Sequence, residues 1–157
     1  MAGGPIERTR GGDFRLRLAP PERELLRTLP GELRSLLDAN PADPALGRLF
    51  PPAFEDLPEE ESEYRRLTGD ELDRGHRHAL EVLEATADSD LLGAEEMESW
   101  LRALNVLRLV LGTRLGVTED LSPSDLDPTA PQAHELAVYA YLTWLQEQVV
   151  EAVSVGR

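Results

Sequence analysis

Apolar and polar positions along the chain form one short alternating stretch followed by several stretches with helical spacing. Phe14-Arg-Leu-Arg-Leu18 alternates with a period of two, setting Phe14, Leu16 and Leu18 on one face of a strand and Arg15 and Arg17 on the other. Ile6 to Arg10 supplies a preceding strand, with Gly11-Gly12-Asp13 as turn chemistry. A three-residue turn sets Ile6 across from Leu18, Glu7 from Arg17 and Thr9 from Arg15. A two-residue turn sets Ile6 against Arg17 and Arg8 against Arg15. Apolar pairing and the Glu–Arg pair favour the longer turn. The hairpin is expected to pack one face on helices and to show an Arg-rich face to solvent.

Pro20-Pro21 closes the strand, and Pro21 suits a helix first turn. Leu25, Leu26, Leu29, Leu33, Leu36 and Leu37 keep helical spacing to about residue 38, and Asn40-Pro41 ends the pattern. Pro30-Gly31 interrupts it and predicts a kink or two short helices. From Asp43 to Leu67 the pattern is irregular: a short helical turn at 44–49, then Phe50-Pro-Pro-Ala-Phe54 as two aromatic anchors. Thr68-Gly-Asp-Glu71 fits a capping box for a helix with Leu72, His76, Ala79, Leu80, Leu83 and Ala87 on one stripe.

The next helix should start at Gly93 or Ala94, with Glu95 and Glu96 complementing its dipole, and end at Gly116. It is so apolar that it must run through the middle of the fold, with Leu104, Leu107 and Leu111 in the core. Thr129-Ala-Pro-Gln132 reads as the start of a last helix reaching about Val153. Its inward residues should be Ala133, Leu136, Ala137, Ala140, Tyr141, Trp144, Leu145, Val149 and Ala152. The fold class is mainly α: a bundle of four to five main helices with a short N-terminal β-hairpin. We expect a single domain over 1–157, with the hairpin at about 5–19 and the helical body at about 20–154.

Composition narrows the function classes. There is no cysteine, hence no disulfide, thiolate ligand, Cys nucleophile or thiol switch. All 16 basic residues are Arg, so no Schiff-base or P-loop lysine is available. The bland explanation of that bias is a GC-rich genome, since Lys codons are A-rich. The net charge of −14 repels phosphate backbones and argues against direct nucleic-acid binding. The longest apolar run, Leu136 to Leu142, is far short of the roughly 18 residues of a membrane span. With no signal-like N-terminal segment either, a cytoplasmic protein with no membrane association is expected. Charge is uneven: residues 1–40 hold seven Arg against six acids, and the remainder nine against twenty-four. The run Glu55–Glu63 alone carries six acids and reads as a solvated face, or less simply as a docking surface.

Two constellations bear on function. Glu98, Arg102, Asn105, Arg108 and Gly112 sit three or four residues apart on the apolar helix, with Arg114 further along. The bland account is that they tie down loops and helix ends. The sharper one is a polar groove in which an Arg fork grips a carboxylate or carbonyl, with Gly112 allowing another backbone close. The second is the hairpin's Arg8, Arg10, Arg15 and Arg17, a candidate partner-binding patch that could instead fold onto the Glu55–Glu63 run. His76 and His78 point to different sides of a helix, and His134 joins them only if folding brings it near. No metal site, catalytic residue or cofactor is therefore assigned.

Trp100-Leu-Arg-Ala-Leu-Asn-Val-Leu-Arg-Leu-Val-Leu-Gly-Thr-Arg-Leu-Gly-Val-Thr-Glu-Asp120 resembles the signature of an actinobacterial family of formerly unknown function that includes the oxidative-stress regulator AosR. Asp43-Pro-Ala-Leu-Gly-Arg-Leu-Phe-Pro51, Glu63-Tyr-Arg-Arg-Leu67 and the start from Phe14 to Leu18 into a Leu-rich helix are similar to it too. The resemblance implies a small intracellular regulator acting through protein contacts, with sigma-factor-dependent transcription as one theme. The resemblance also implies a gene of the kind that tends to be encoded beside a ClpS-type protease adaptor, which adds proteolysis as another theme. The redox branch depends on a cysteine pair, so its thiol switch does not carry over. The expectation is a non-enzymatic regulator or adaptor with a protein partner, a sigma factor or a protease adaptor. The alternative is a small-molecule-binding or metal-dependent enzyme with its site along the Arg102–Asn105–Arg108 edge.

Overall fold

The computed structural model describes residues 4–50, 58–116 and 132–154. Strands β1 (Ile6–Arg8) and β2 (Phe14–Leu16) lead into helix α1 (Pro20–Ala39), a 3-10 helix (Pro44–Leu49) and helix α2 (Pro58–Thr86). A third strand, β3 (Leu91–Leu92), precedes helices α3 (Ala94–Leu115) and α4 (Ala133–Ser154). The fold is mainly α, with the strands forming one antiparallel sheet in the order β1-β2-β3. Sequence reasoning missed β3, because two residues are too few to show alternation.

The hairpin faces are as expected but the register is not. Ile6 pairs with Leu16, Glu7 with Arg15 and Arg8 with Phe14. The Thr9 N–H donates to the Asp13 carbonyl (2.7 Å) and the Gly12 N–H to the Thr9 carbonyl (3.1 Å), so the turn is Arg10-Gly11-Gly12. Gly12 has φ 91°, the conformation that the last residue of such a three-residue turn adopts and that glycine takes without strain. A turn on residues 11–13 would have put Asp13 there instead. The resulting shift of two residues preserves the faces. Ile6, Phe14, Leu16 and Leu18 are buried.

Helix α1 stays continuous through Pro30, which is buried; two separate helices do not form. The Glu22 carboxylate accepts the Ala19 N–H (2.6 Å) at its start, and Asn40 closes its end. Helix α2 begins ten residues before the expected Thr68, so Thr68-Gly-Asp-Glu71 lies inside a helix and is no capping box. The overlooked signal is Pro58 followed by three Glu, a residue order that favours a helix first turn. Phe54 and Thr129 to Pro131 lie outside the described residues.

An ion-pair ladder joins α1 to α2 and the turn just after it: Arg27 with Asp88 in that turn, Arg34 with Glu84 (2.6 Å) and Asp38 with Arg77 (2.6 Å). Rising numbers on one helix meet falling numbers on the other, as antiparallel packing requires. Helix α3 packs against α1, α2, α4 and the 3-10 helix and supplies the centre of the core. Trp100, Ala103, Leu104 and Met97 are fully buried, and the Trp100 indole N–H donates to Thr86 Oγ1 at 2.7 Å. Leu107 is buried as expected, whereas Leu111 is only partly so, at the mouth of a cleft shared with α1 and α4. Gly93 and the left-handed Gly116 bound α3 as its sequence predicts.

Helix α4 buries Leu142, Leu145, Val149 and Ala152, a 3-4-3 spacing that defines one face. The expected inward set was too wide for a single stripe: Trp144 and Ala137 are exposed, and Leu142 belongs in their place.

Candidate functional site

The polar row of α3 does not form one edge. Arg102, Arg108 and Arg114 are six residues apart, and at about 100° per residue each step turns the side chain by about 120°. Each arginine therefore meets a different neighbour. Arg102 crosses α2 at Gly75, where an added Cβ would collide with its guanidinium. There its Nε–H donates to His76 Nδ1 (3.3 Å) and its Nη2 to the Leu72 carbonyl (3.4 Å). Arg108 turns to α4, donating from Nε to Gln146 Oε1 (2.8 Å) and from Nη2 to Asn105 Oδ1 (3.2 Å). Arg114 borders the cleft lined by Leu29, Leu33 and Leu142, near Glu32. Glu98 is exposed, and Gly112 receives the Tyr139 ring rather than a backbone, with 2.9 Å from a built Cβ to the ring.

Asn105, Arg108 and Gln146 thus form a closed hydrogen-bonded set between α3 and α4. Beside them lies an open groove of about 370 Å³, bordered by Arg108, Thr143, Gln146, Glu147, Val150 and Glu151.

His76 is buried. A carbonyl only accepts and an arginine Nε only donates, so one tautomer fits: Nε2–H donates to the Leu49 carbonyl (3.3 Å) and Nδ1 accepts from Arg102. The Phe50 ring stands edge-on at 5.8 Å. Burial lowers the His76 pKa first; the Leu49 contact raises it, Arg102 lowers it and Asp73 raises it. This histidine pins the 3-10 helix to α2 and α3. His78 and His134 are exposed, and among the described residues no group of three or more His, Asp or Glu is placed to hold a metal ion.

The hairpin arginines also divide. Arg8 shares a face with Phe14, its guanidinium carbon 5.8 Å from the ring centre. Arg15 and Arg17 project from the outer face, and Arg10 is exposed at the turn. Arg17 pairs with Glu7 at 2.6 Å, the partner expected for it, though now as a diagonal neighbour. Among the described residues Arg15 and Arg10 make no ion pair. The exposed Leu91 of β3 lies directly across from Arg15.

The best-anchored arginine, Arg23, carried no signal in the sequence beyond its place at a helix start. It donates to the carbonyls of Leu18 (3.2 Å), Ala87 (3.1 Å) and Ser89 (2.8 Å) and pairs with Asp90 (3.1 Å). One guanidinium so ties α1, the β2–α1 connection and the α2–β3 connection together.

Residues 3–153 match the model of a family described as "Domain of unknown function (DUF2017)". The chain belongs to that family. Proteins named "Oxidative stress regulator AosR" from Mycobacterium tuberculosis (strain H37Rv) and Mycobacterium bovis are each 27% identical to it over 184 residues, covering 92% of this chain and 84% of theirs. No solved structure matches. No described helix of this DUF2017 member is long and apolar enough to cross a membrane.

Proposed function

We propose that this protein is a non-enzymatic regulator or adaptor that acts through protein–protein contacts, in stress-linked transcription or in proteolysis. The observation that carries the reading is the division among its arginines. Arg23, Arg27, Arg34 and Arg77 are used within the fold, while Arg15 stands exposed on a rigid sheet without an ion pair among the described residues. The name of the mycobacterial relatives supports the regulatory half. Having no cysteine, this chain senses no oxidant through a thiol of its own. A sigma factor or a protease adaptor is the proposed kind of partner.

The test places a photo-crosslinking residue at position 15, 108 or 144 in the native host, followed by mass spectrometry of the adducts. One protein joined through position 15 is the expected result. Absence of any protein adduct at all three positions overturns the reading. The groove beside Arg108 favours a second reading, a small-molecule-binding enzyme, which predicts a small-ligand thermal shift lost in Arg108→Ala.

A further inference from the structure

Resting on that reading of the hairpin, we infer that the outer face of the sheet docks an acidic segment of a partner protein, carrying carboxylates next to an apolar residue. The antiparallel register sets Glu7, Arg15 and Leu91 in one row across the three strands. Arg17 stands next to that row and holds Glu7. Leu91 is 50% exposed, while its neighbour Leu92 is fully buried. The face therefore offers an apolar contact beside a guanidinium that has no ion pair among the described residues. A second guanidinium has an exposed carboxylate that an incoming one can replace.

Charge complementarity selects the occupant. In a chain of net charge −14, a basic segment of a partner has many acidic surfaces to choose from. An acidic segment is repelled by the body and attracted locally here, within the roughly 8 Å over which charges act at physiological salt. The body's repulsion then adds to specificity by disfavouring other placements. The sheet supplies a rigid platform, since β2 is paired on both sides and its inner residues Phe14 and Leu16 are core. Arginine forks on such a platform suit bidentate carboxylate recognition.

The test selects displayed random peptides on the 157-residue chain and measures a synthetic winner by fluorescence anisotropy. Enrichment of Asp or Glu next to one Leu, Ile, Val or Phe is the expected outcome. Arg15→Glu combined with Arg17→Glu should then weaken binding by at least about tenfold. Leu91→Ser should weaken it by about threefold, with circular dichroism unchanged, and rising salt should weaken it further. Winners without an acidic bias, no winners at all, or binding indifferent to these substitutions overturn the inference. So does a dimer of the free chain in sedimentation that Arg15→Glu dissociates, because the occupant is then a second copy. An in-host adduct confined to positions 108 or 144 also overturns it, yet leaves the broader regulatory reading standing.

Discussion

Arg23 and Arg15 lie eight residues apart in the same near-neutral segment and fare oppositely. Arg23 sits at the start of α1 with its side chain 14% exposed, and it donates to three backbone carbonyls and one carboxylate. Arg15 sits on the outer face of β2, exposed and without an ion pair among the described residues. The same side chain serves as a structural tie where carbonyls of an unfinished helix end and a loop converge. On a solvated sheet face it remains available to a partner. Charge counts along the chain do not separate these roles; the neighbours brought by folding do.

The core sets the upper end of the scale of stability effects. Leu104→Ala, in the fully buried row of α3, should cost roughly 2–5 kcal/mol through lost burial and residual cavity. A urea melt close to wild type would remove α3 from the centre of the fold.

Arg23→Ala should be the most destabilising of the arginine substitutions, at about 2 kcal/mol, because it strips donors from three carbonyls at once. If it melts like Arg15→Ala, the contrast between the two arginines collapses.

His76 gives a pH-dependent check on the interior side. Its pKa is lowered from 6.5, mainly by burial, so below pH 6.5 the unfolded chain binds a proton that the folded chain resists. Its contribution is complete above pH 6.5 and is lost as pH falls towards the lowered folded value. Melting temperature measured from pH 8 to 5 should fall less steeply in His76→Gln than in wild type. Equal slopes would mean that the imidazole is not held neutral between Leu49 and Arg102.

Arg15→Glu with Arg17→Glu should have the smallest effect on stability, less than about 1 kcal/mol, since the Arg17–Glu7 pair is nearly half exposed on both sides. Partner capture should be abolished in the same variant. A variant that unfolds readily and still captures the partner would make these arginines structural, like Arg23.

Much of the scaffold was legible from local signals. The alternation in Phe14 to Leu18 fixed which side chains are core, and period-two symmetry let that survive a register error. Glu95, Glu96 and Gly116 marked the ends of α3, because capping is decided within one turn of the chain. Helix α2 starts earlier than Thr68-Gly-Asp-Glu71 suggested, because Pro58 and the three Glu after it already form a helix first turn and nothing before Thr68 interrupts the helix. The polar row was misread for a geometric reason: three-residue steps drift round a helix, so Arg102, Arg108 and Arg114 part company.

The sequence alone determined the mainly helical class, the buried hairpin face, the central place of α3 and the exclusion of thiol chemistry. Tertiary structure decided the rest. It chose Arg23 as the tie, closed Asn105 and Arg108 against Gln146, set His76 between Leu49 and Arg102, and brought Leu91 beside Arg15. Periodicity and capping act between residues a turn or a pleat apart. The partners of a guanidinium or an imidazole come from segments tens of residues away, and only packing selects which of them arrive.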